Sequence, residues 1–262
     1  MTAALKIIPG LTLTAAPNLP RITQSSEERR IAGLPGLRHF FEPSRLSGSP
    51  LSGKDRATPG HPVATPTAGI TAGASASYGG RTVVTKTAGQ FAFAYDMMTA
   101  PESFTILTAC DAAAAGGTLW SFFNGSGSGS VAKYALSWRS DLGRLQFAEN
   151  YASNTSPLLL PVPDMPALNA PFILGVSYDR TTRESRMFVN DPTAKASITH
   201  TGTQPPIDGA TQIAIGGLYQ FGSAGWNGRI GRALILDRAY HDPAYLPLLA
   251  REMAAMRAYY GI

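Results

Sequence analysis

The sequence predicts an all-β protein of two stacked antiparallel sheets, preceded by an extended N-terminal arm and closed by a short C-terminal helix. Three observations predict it. A side-chain period of two runs through residues 81–238, with β-branched and aromatic residues at the apolar positions. Glycine and proline, 27 and 20 of the 262 residues, fall largely between those apolar runs. Charged residues are 15%, too few for a coiled coil or helical bundle, and the 44% hydrophobic fraction is too high for a disordered chain.

Residues 1–33 read as a docking arm. They hold Pro9, Pro17 and Pro20, then the polar run TQSSEERR, and show no sustained period. Residues 1–60 carry eight Lys/Arg and four Asp/Glu, and the remaining residues fourteen and thirteen, so the +5 charge sits mostly on the leading segment. A basic arm suits an acidic protein surface; without a nucleic-acid motif, no nucleic acid is expected. Residues 34–80 read as a loop-rich wrap over a core formed elsewhere. The broken apolar start is a poor secretion signal, so the first residues are expected to stay in the protein. No apolar run is long enough for membrane insertion.

The strands follow in order. RTVVTK (81–86), FAFAY (91–95), FTILTAC (104–110) and GTLWSFFN (117–124) come first. Tyr134, Leu136 and Trp138 share one face, Ser140–Gly143 turns, and Leu145 and Phe147 return as a hairpin. After the proline-rich stretch 158–171, Phe172–Tyr178 alternates, Asp179–Thr182 turns, and SRMFVND (185–191) runs back. QIAIGG (212–217) and RIGRALILDR (229–238) close the series, and 81–241 is read as a sandwich or barrel. Within 242–262, Asp242 is the expected helix cap and Pro243 the first helical residue. Leu249, Met253, Met256 and Tyr260 form one packing face, and Gly261 ends the helix.

These segments, taken in order, resemble the concanavalin A-like lectin/glucanase (laminin-G-like) jelly roll. Ser177-Tyr178-Asp179 and Phe188-Val189-Asn190 resemble its paired strand ends, Ile215-Gly216-Gly217 its glycine strand, and Trp226-Asn227-Gly228-Arg229-Ile230 its closing strand. Arg232 stands where the family has an acidic residue, and Asp191 where it has glycine. A weaker resemblance covers residues 34–262: LPGLRHFFEPSRLSG (34–48), SGKDRATPGHPVAT (52–65) and LLAREMAAMRAYYGI (248–262) are similar to segments of phage virion proteins carrying this jelly roll. The resemblance implies a jelly-roll domain over 34–262 and a virion structural protein at the phage particle surface, in a tail, baseplate or capsid decoration. Residues 1–33 would contact other virion proteins, and the sandwich would adhere to host-surface glycan or reinforce the particle. A homo-oligomer is expected.

Catalysis is not expected, a polysaccharide-degrading glycoside hydrolase using Glu149 being the alternative to adhesion and to a purely architectural role. Glucanases on this fold place carboxylates on alternate residues of one strand, which sets a nucleophile and an acid on one face. No Glu-x-Asp-x-Glu occurs, and of seven glutamates only Glu149 ends a sandwich strand, with Phe147 and Tyr151 two places away. Cys110 closes an apolar run and reads as a buried hydrophobe. Four scattered histidines and the dispersed Asp141, Asp191 and Asp208 predict no metal, and no cofactor motif is present. Sugar faces are apolar and their rims hydroxylated, so aromatic and amide side chains in loops are the binding candidates. These are Tyr151, Asn154, Tyr219, Phe221 and Trp226. Trp226, like Trp138, also suits a core position.

Overall fold

A computed structural model describes residues 25–57, 62–64, 69–86, 93–96, 102–124, 132–149, 156–202, 204, 211–217 and 225–262. The chain divides into two compact units, Met1–Gly33 and Leu34–Ile262. In the first, helix α1 (Ser26–Ala32) replaces the expected aperiodic run. Its cause is local: the Ser25 hydroxyl accepts from Glu28 N–H at 3.0 Å, and the Glu28 carboxylate accepts from Ser25 N–H at 3.0 Å. This reciprocal capping is legible as Ser-x-x-Glu in SSEE.

The second unit holds the strands. They are β1 (Leu37–Phe41), β2 (Ser52–Lys54), β3 (Pro62–Ala64), β4 (Ile70–Ser75), β5 (Arg81–Lys86), β6 (Phe93–Asp96), β7 (Phe104–Cys110) and β8 (Thr118–Asn124). Then come β9 (Ala132–Arg139), β10 (Arg144–Glu149), β11 (Leu158–Leu159), β12 (Phe172–Tyr178), β13 (Glu184–Val189), β14 (Ala194–Thr199), β15 (Thr211–Ile215) and β16 (Arg229–Leu236). Among the described residues they form two antiparallel sheets. The first runs β14-β13-β12-β7-β16-β5-β4, and the second β11-β10-β9-β8-β15-β6-β3-β2. Strand β16 is shared along its far side, with β5 opposite Arg229 and Ile230 and β1 opposite Ala233–Leu236.

One apolar core lies between the sheets. Ile106, Leu174, Val176, Met187, Ile230 and Ile235 from the first meet Trp120, Phe122, Leu136, Leu145, Phe147 and Ile213 from the second. Phe104 is its aromatic hub, with ring centroids 4.8 Å from Phe122, 5.1 Å from Tyr134, 5.5 Å from Tyr178 and 5.9 Å from Trp120. Cys110 is buried as expected.

The first sheet is covered on its other face too. Helix α2 (Leu246–Tyr260) contacts β7 and β12 and buries Leu249, Met253, Met256 and Tyr260, the stripe read from the sequence. Its start differs from the expectation. Asp242 closes a preceding turn instead, its carboxylate accepting from Ala244 N–H at 2.8 Å, and the helix begins at Leu246 with Pro247 in its first turn. At the other end the Tyr260 hydroxyl accepts from Arg232 N–H at 2.7 Å, beside a break in register between Ile230 and Ala233. The Arg232 side chain pairs with Glu42, both buried, and its guanidinium lies 3.4 Å from the Tyr259 ring centroid. That pairing gives the buried Arg232 its counter-charge.

Residues 34–80 are not a loop wrap. They supply β1 to β4, which are short or lie at sheet edges. Apolar alternation is weak there because few of their side chains reach the core. Strand β14 has the same character, its side chains half-buried or exposed.

Gly216 takes a φ of 90°. Gly228 is needed for close approach, since a Cβ there would collide with the Asp111 carbonyl. Asp111 in turn receives the Arg229 N–H at 2.7 Å and its Nε at 2.6 Å. Gly228→Ala is therefore expected to destabilise the protein by about 1–3 kcal/mol, the usual cost of forcing extra volume into a packed site. Urea unfolding measures it, and an unchanged midpoint would show that this backbone can yield.

Candidate functional site

Two groups of polar side chains are buried in or beside the second sheet. The first lies at the end of the sandwich where β10 and β12 stop. Glu149 is the last residue of β10 and stands opposite Tyr134 on β9. Strand alternation puts it on the core face with Leu145 and Phe147. The Tyr178 hydroxyl donates to one Glu149 oxygen and the Arg183 guanidinium to the other. Gln204 donates to the Tyr178 hydroxyl at 3.2 Å, and Arg180 to the Tyr134 hydroxyl at 3.2 Å. Both oxygens of the one carboxylate singled out for hydrolysis are thus engaged. Burial raises the Tyr178 and Tyr134 phenols above their ordinary range, so both stay protonated at neutral pH.

His200 completes this end. Its Nδ1 donates to the Ser156 carbonyl at 3.0 Å, so Nε2 accepts from the Ser185 hydroxyl at 2.8 Å. The tautomer is assigned from those partners.

The second group lies on the face of the second sheet turned away from the core. Trp120, Phe122, Tyr134, Leu136, Trp138, Leu145, Phe147, Ile213 and Ile215 point into the core. Alternation therefore sends Ser121, Phe123, Ala135, Ser137, Gln146, Ala148 and Ala214 the other way. All of these are buried nonetheless. Register places Gln146 opposite Ser137, and Ser121 opposite both Ala135 and Ala214. The floor is low because most of these side chains are small, and Phe123 and Ala214 form an apolar patch beside it.

Hydrogen bonding on this face is incomplete. Ser121 donates to the Gly217 carbonyl at 3.2 Å. Arg139, held by Asp141 at 2.6 and 2.8 Å, donates to the Gln146 side-chain oxygen at 3.1 Å. The Gln146 amide NH2 has no partner among the described residues. The Ser137 hydroxyl, on a residue 4% exposed, has none either. A buried unsatisfied hydroxyl costs about 1–3 kcal/mol and calls for a reason.

Of the sugar-binding residues singled out from the sequence, Trp226 alone lies among the described residues. Tyr151, Asn154, Tyr219 and Phe221 lie outside the described residues. Trp226 is fully buried. Its Nε1 donates to the Asp111 carbonyl at 2.6 Å and its ring lies 6.3 Å from Trp138, so no face is open to stack on a sugar. Ser137 and Gln146 were missed because aromatic residues drew the search. The period of two already put both off the core face. Among the described residues, no three His, Cys, Asp or Glu side chains form a group able to hold a metal.

Comparison with known proteins supports the fold. No family model matches the chain, and no curated protein matches it in sequence. Solved structures do. A Trypanosoma rangeli sialidase in complex with a 2,3-difluoro-KDN is 14% identical over 88% of this chain and 38% of its own, with a TM-score of 0.59. A mutant of that sialidase displaying trans-sialidase activity is 13% identical over 87% and 37%, with a TM-score of 0.56. The same sialidase in complex with sialic acid is 14% identical over 88% and 37%, with a TM-score of 0.55. At these identities the likeness is one of fold. The chain spans a little over a third of the length of the sialidases it matches.

This finding corrects the expectation that the chain is not an enzyme. Proteins named as sialidases share the fold over most of the chain, so a lectin-like sandwich without a Glu-x-Asp-x-Glu strand is no ground for excluding activity.

A pH dependence follows from the buried imidazoles. Burial holds His200 and His241 below the ordinary 6.5. The unfolded chain then takes up protons before the folded one, so this contribution to stability is complete above about pH 6.5 and declines as pH falls below it. Urea midpoints are expected to drop between pH 7.5 and 5.5, and to drop less in His200→Gln/His241→Gln. An equal slope in both proteins would remove the imidazoles as the cause.

Proposed function

We propose that the protein is a carbohydrate-binding, lectin-like sandwich that takes a glycan on the outer face of its second sheet. The observation that carries this reading is the unpaired Ser137 hydroxyl. It lies opposite the Gln146 amide, on a floor of small side chains. A sugar offers what that arrangement lacks: hydroxyls to pair with Ser137 and Gln146. The solved structures with this fold add support, since one is of a sialidase in complex with sialic acid. A glycan array with the full chain, followed by calorimetry on the best ligand, tests the reading. Ser137→Ala and Gln146→Ala should each weaken binding roughly tenfold, the loss of about one hydrogen bond at 1.4 kcal/mol. Ser137→Ala should leave thermal stability unchanged or higher, because that hydroxyl has no partner among the described residues. A blank array, or binding indifferent to both substitutions, would overturn it.

We further propose the phage particle surface as the setting, with residues 1–33 as the docking arm. The support is the order of segments 34–48, 52–65 and 248–262 and the charge of the leading residues; the comparisons do not bear on it. A chain lacking residues 1–33 should remain folded and soluble but be missing from purified particles. Incorporation at the level of the full chain would refute the docking role.

A further inference from the structure

Sheet edges expose unpaired N–H and C=O groups, and proteins protect them with charge, proline, bulges or brevity. Most edges here are protected in such ways. Strand β14 carries Lys195, and its register with β13 breaks between Met187 and Phe188. Strand β11 has two residues, with Pro157 before it and Pro161 soon after. Strand β2 has three and includes Lys54. The far side of β1 is closed by its own chain: Phe40 N–H donates to Asp55 at 3.0 Å, and the Phe40 carbonyl accepts from Arg56 N–H at 3.1 Å.

Strand β4 has none of these protections. Ile70–Ser75 reads ITAGAS, with no charge and no proline, and pairs with β5 in unbroken register from Ile70↔Lys86 to Ser75↔Arg81. No strand lies beyond it among the described residues. Thr71, Gly73 and Ala74 are exposed, and a Cβ at Gly73 would meet nothing within 4 Å.

We propose that β4 is a dimerisation edge, where two copies of this chain join antiparallel, strand to strand, into one continuous sheet. The occupant follows from the composition of the edge. A second ITAGAS brings no like charge against the first and no bulky side chain to hold the sandwiches apart. Of the cations beside this edge, Lys86 stands on β5 opposite Ile70, and the two arginines are engaged within their own chain. Arg81 lies 4.3 Å over the Tyr259 ring and donates to the Tyr259 carbonyl at 3.1 Å. Arg229 donates to the Ser75 hydroxyl at 2.9 Å and is paired with Asp111. Antiparallel self-pairing is two-fold and closes at two chains. Full overlap sets Ala72 of one copy opposite Gly73 of the other. The inference is independent of glycan binding, which uses the other sheet.

Sedimentation of the full chain across a dilution series, with amide exchange over residues 70–75, tests it. The wild type should pass from one chain to two as concentration rises, with exchange at 70–75 slowing in step. Thr71→Lys/Gly73→Lys should stay a single chain with an unchanged thermal midpoint. A wild type that remains a single chain at every concentration would overturn the proposal. So would a lysine variant that dimerises equally, or a dimer formed without protection at 70–75. The exchange measurement on the unaltered protein decides the matter even if the lysine variant fails to fold.

Discussion

The structure depends on two sheets closing over one aromatic hub. Phe104 opens the central strand of the first sheet and touches rings from β8, β9 and β12 at once. Burying those rings removes several hundred Å² of apolar surface from water, the largest favourable term available to a domain with few charges. The same packing sets the polar chemistry nearby. With their rings held against Phe104, Tyr134 and Tyr178 direct their hydroxyls to the end of the sandwich. There Arg180 donates to the first, and Glu149 accepts from the second. Glu149, Arg183 and the two phenols thus form a closed set in which the buried carboxylate keeps a counter-charge and a hydrogen bond. Without them its burial would be prohibitive.

The two sheets differ in what their outer faces meet. The first is packed on both sides, by the core and by α2, and its strands read as nearly continuous apolar runs. The second is packed on one side only by apolar residues. Its other face carries serine, glutamine and alanine, buried but incompletely hydrogen-bonded. A small-residue face has little packing energy to offer. That asymmetry is what the proposed glycan-binding role of the second sheet rests on.

Much of the strand order was legible in the chain. RTVVTK, FTILTAC, the Trp138 hairpin, Phe172–Tyr178 and QIAIGG all became strands close to their expected limits, because alternation is a local property. Other elements were missed for local reasons as well. The Ser25–Glu28 capping box was present in SSEE but lay in a run judged by its lack of period. Strands β1 to β4 and β14 are short or half-exposed and show little apolar contrast. Asp242 was a sound cap by residue type, yet its carboxylate closes the preceding turn.

The site was less legible than the fold. Aromatic residues in loops seemed the natural sugar platforms, but Trp226 proved to be core, and Ser137 and Gln146 drew no notice. Alternation reveals that a strand has two faces; it does not reveal what lies against each. Which face meets the other sheet, which hydroxyl finds no partner, and which edge stays open are settled by pairings across long stretches of chain. Gln146 meets Ser137 across one tight turn, but Ser121 meets Ala214 only after 92 intervening residues. Period, turns and the helical stripe belong to the sequence. The unpaired Ser137 hydroxyl exists only once the sheets have closed.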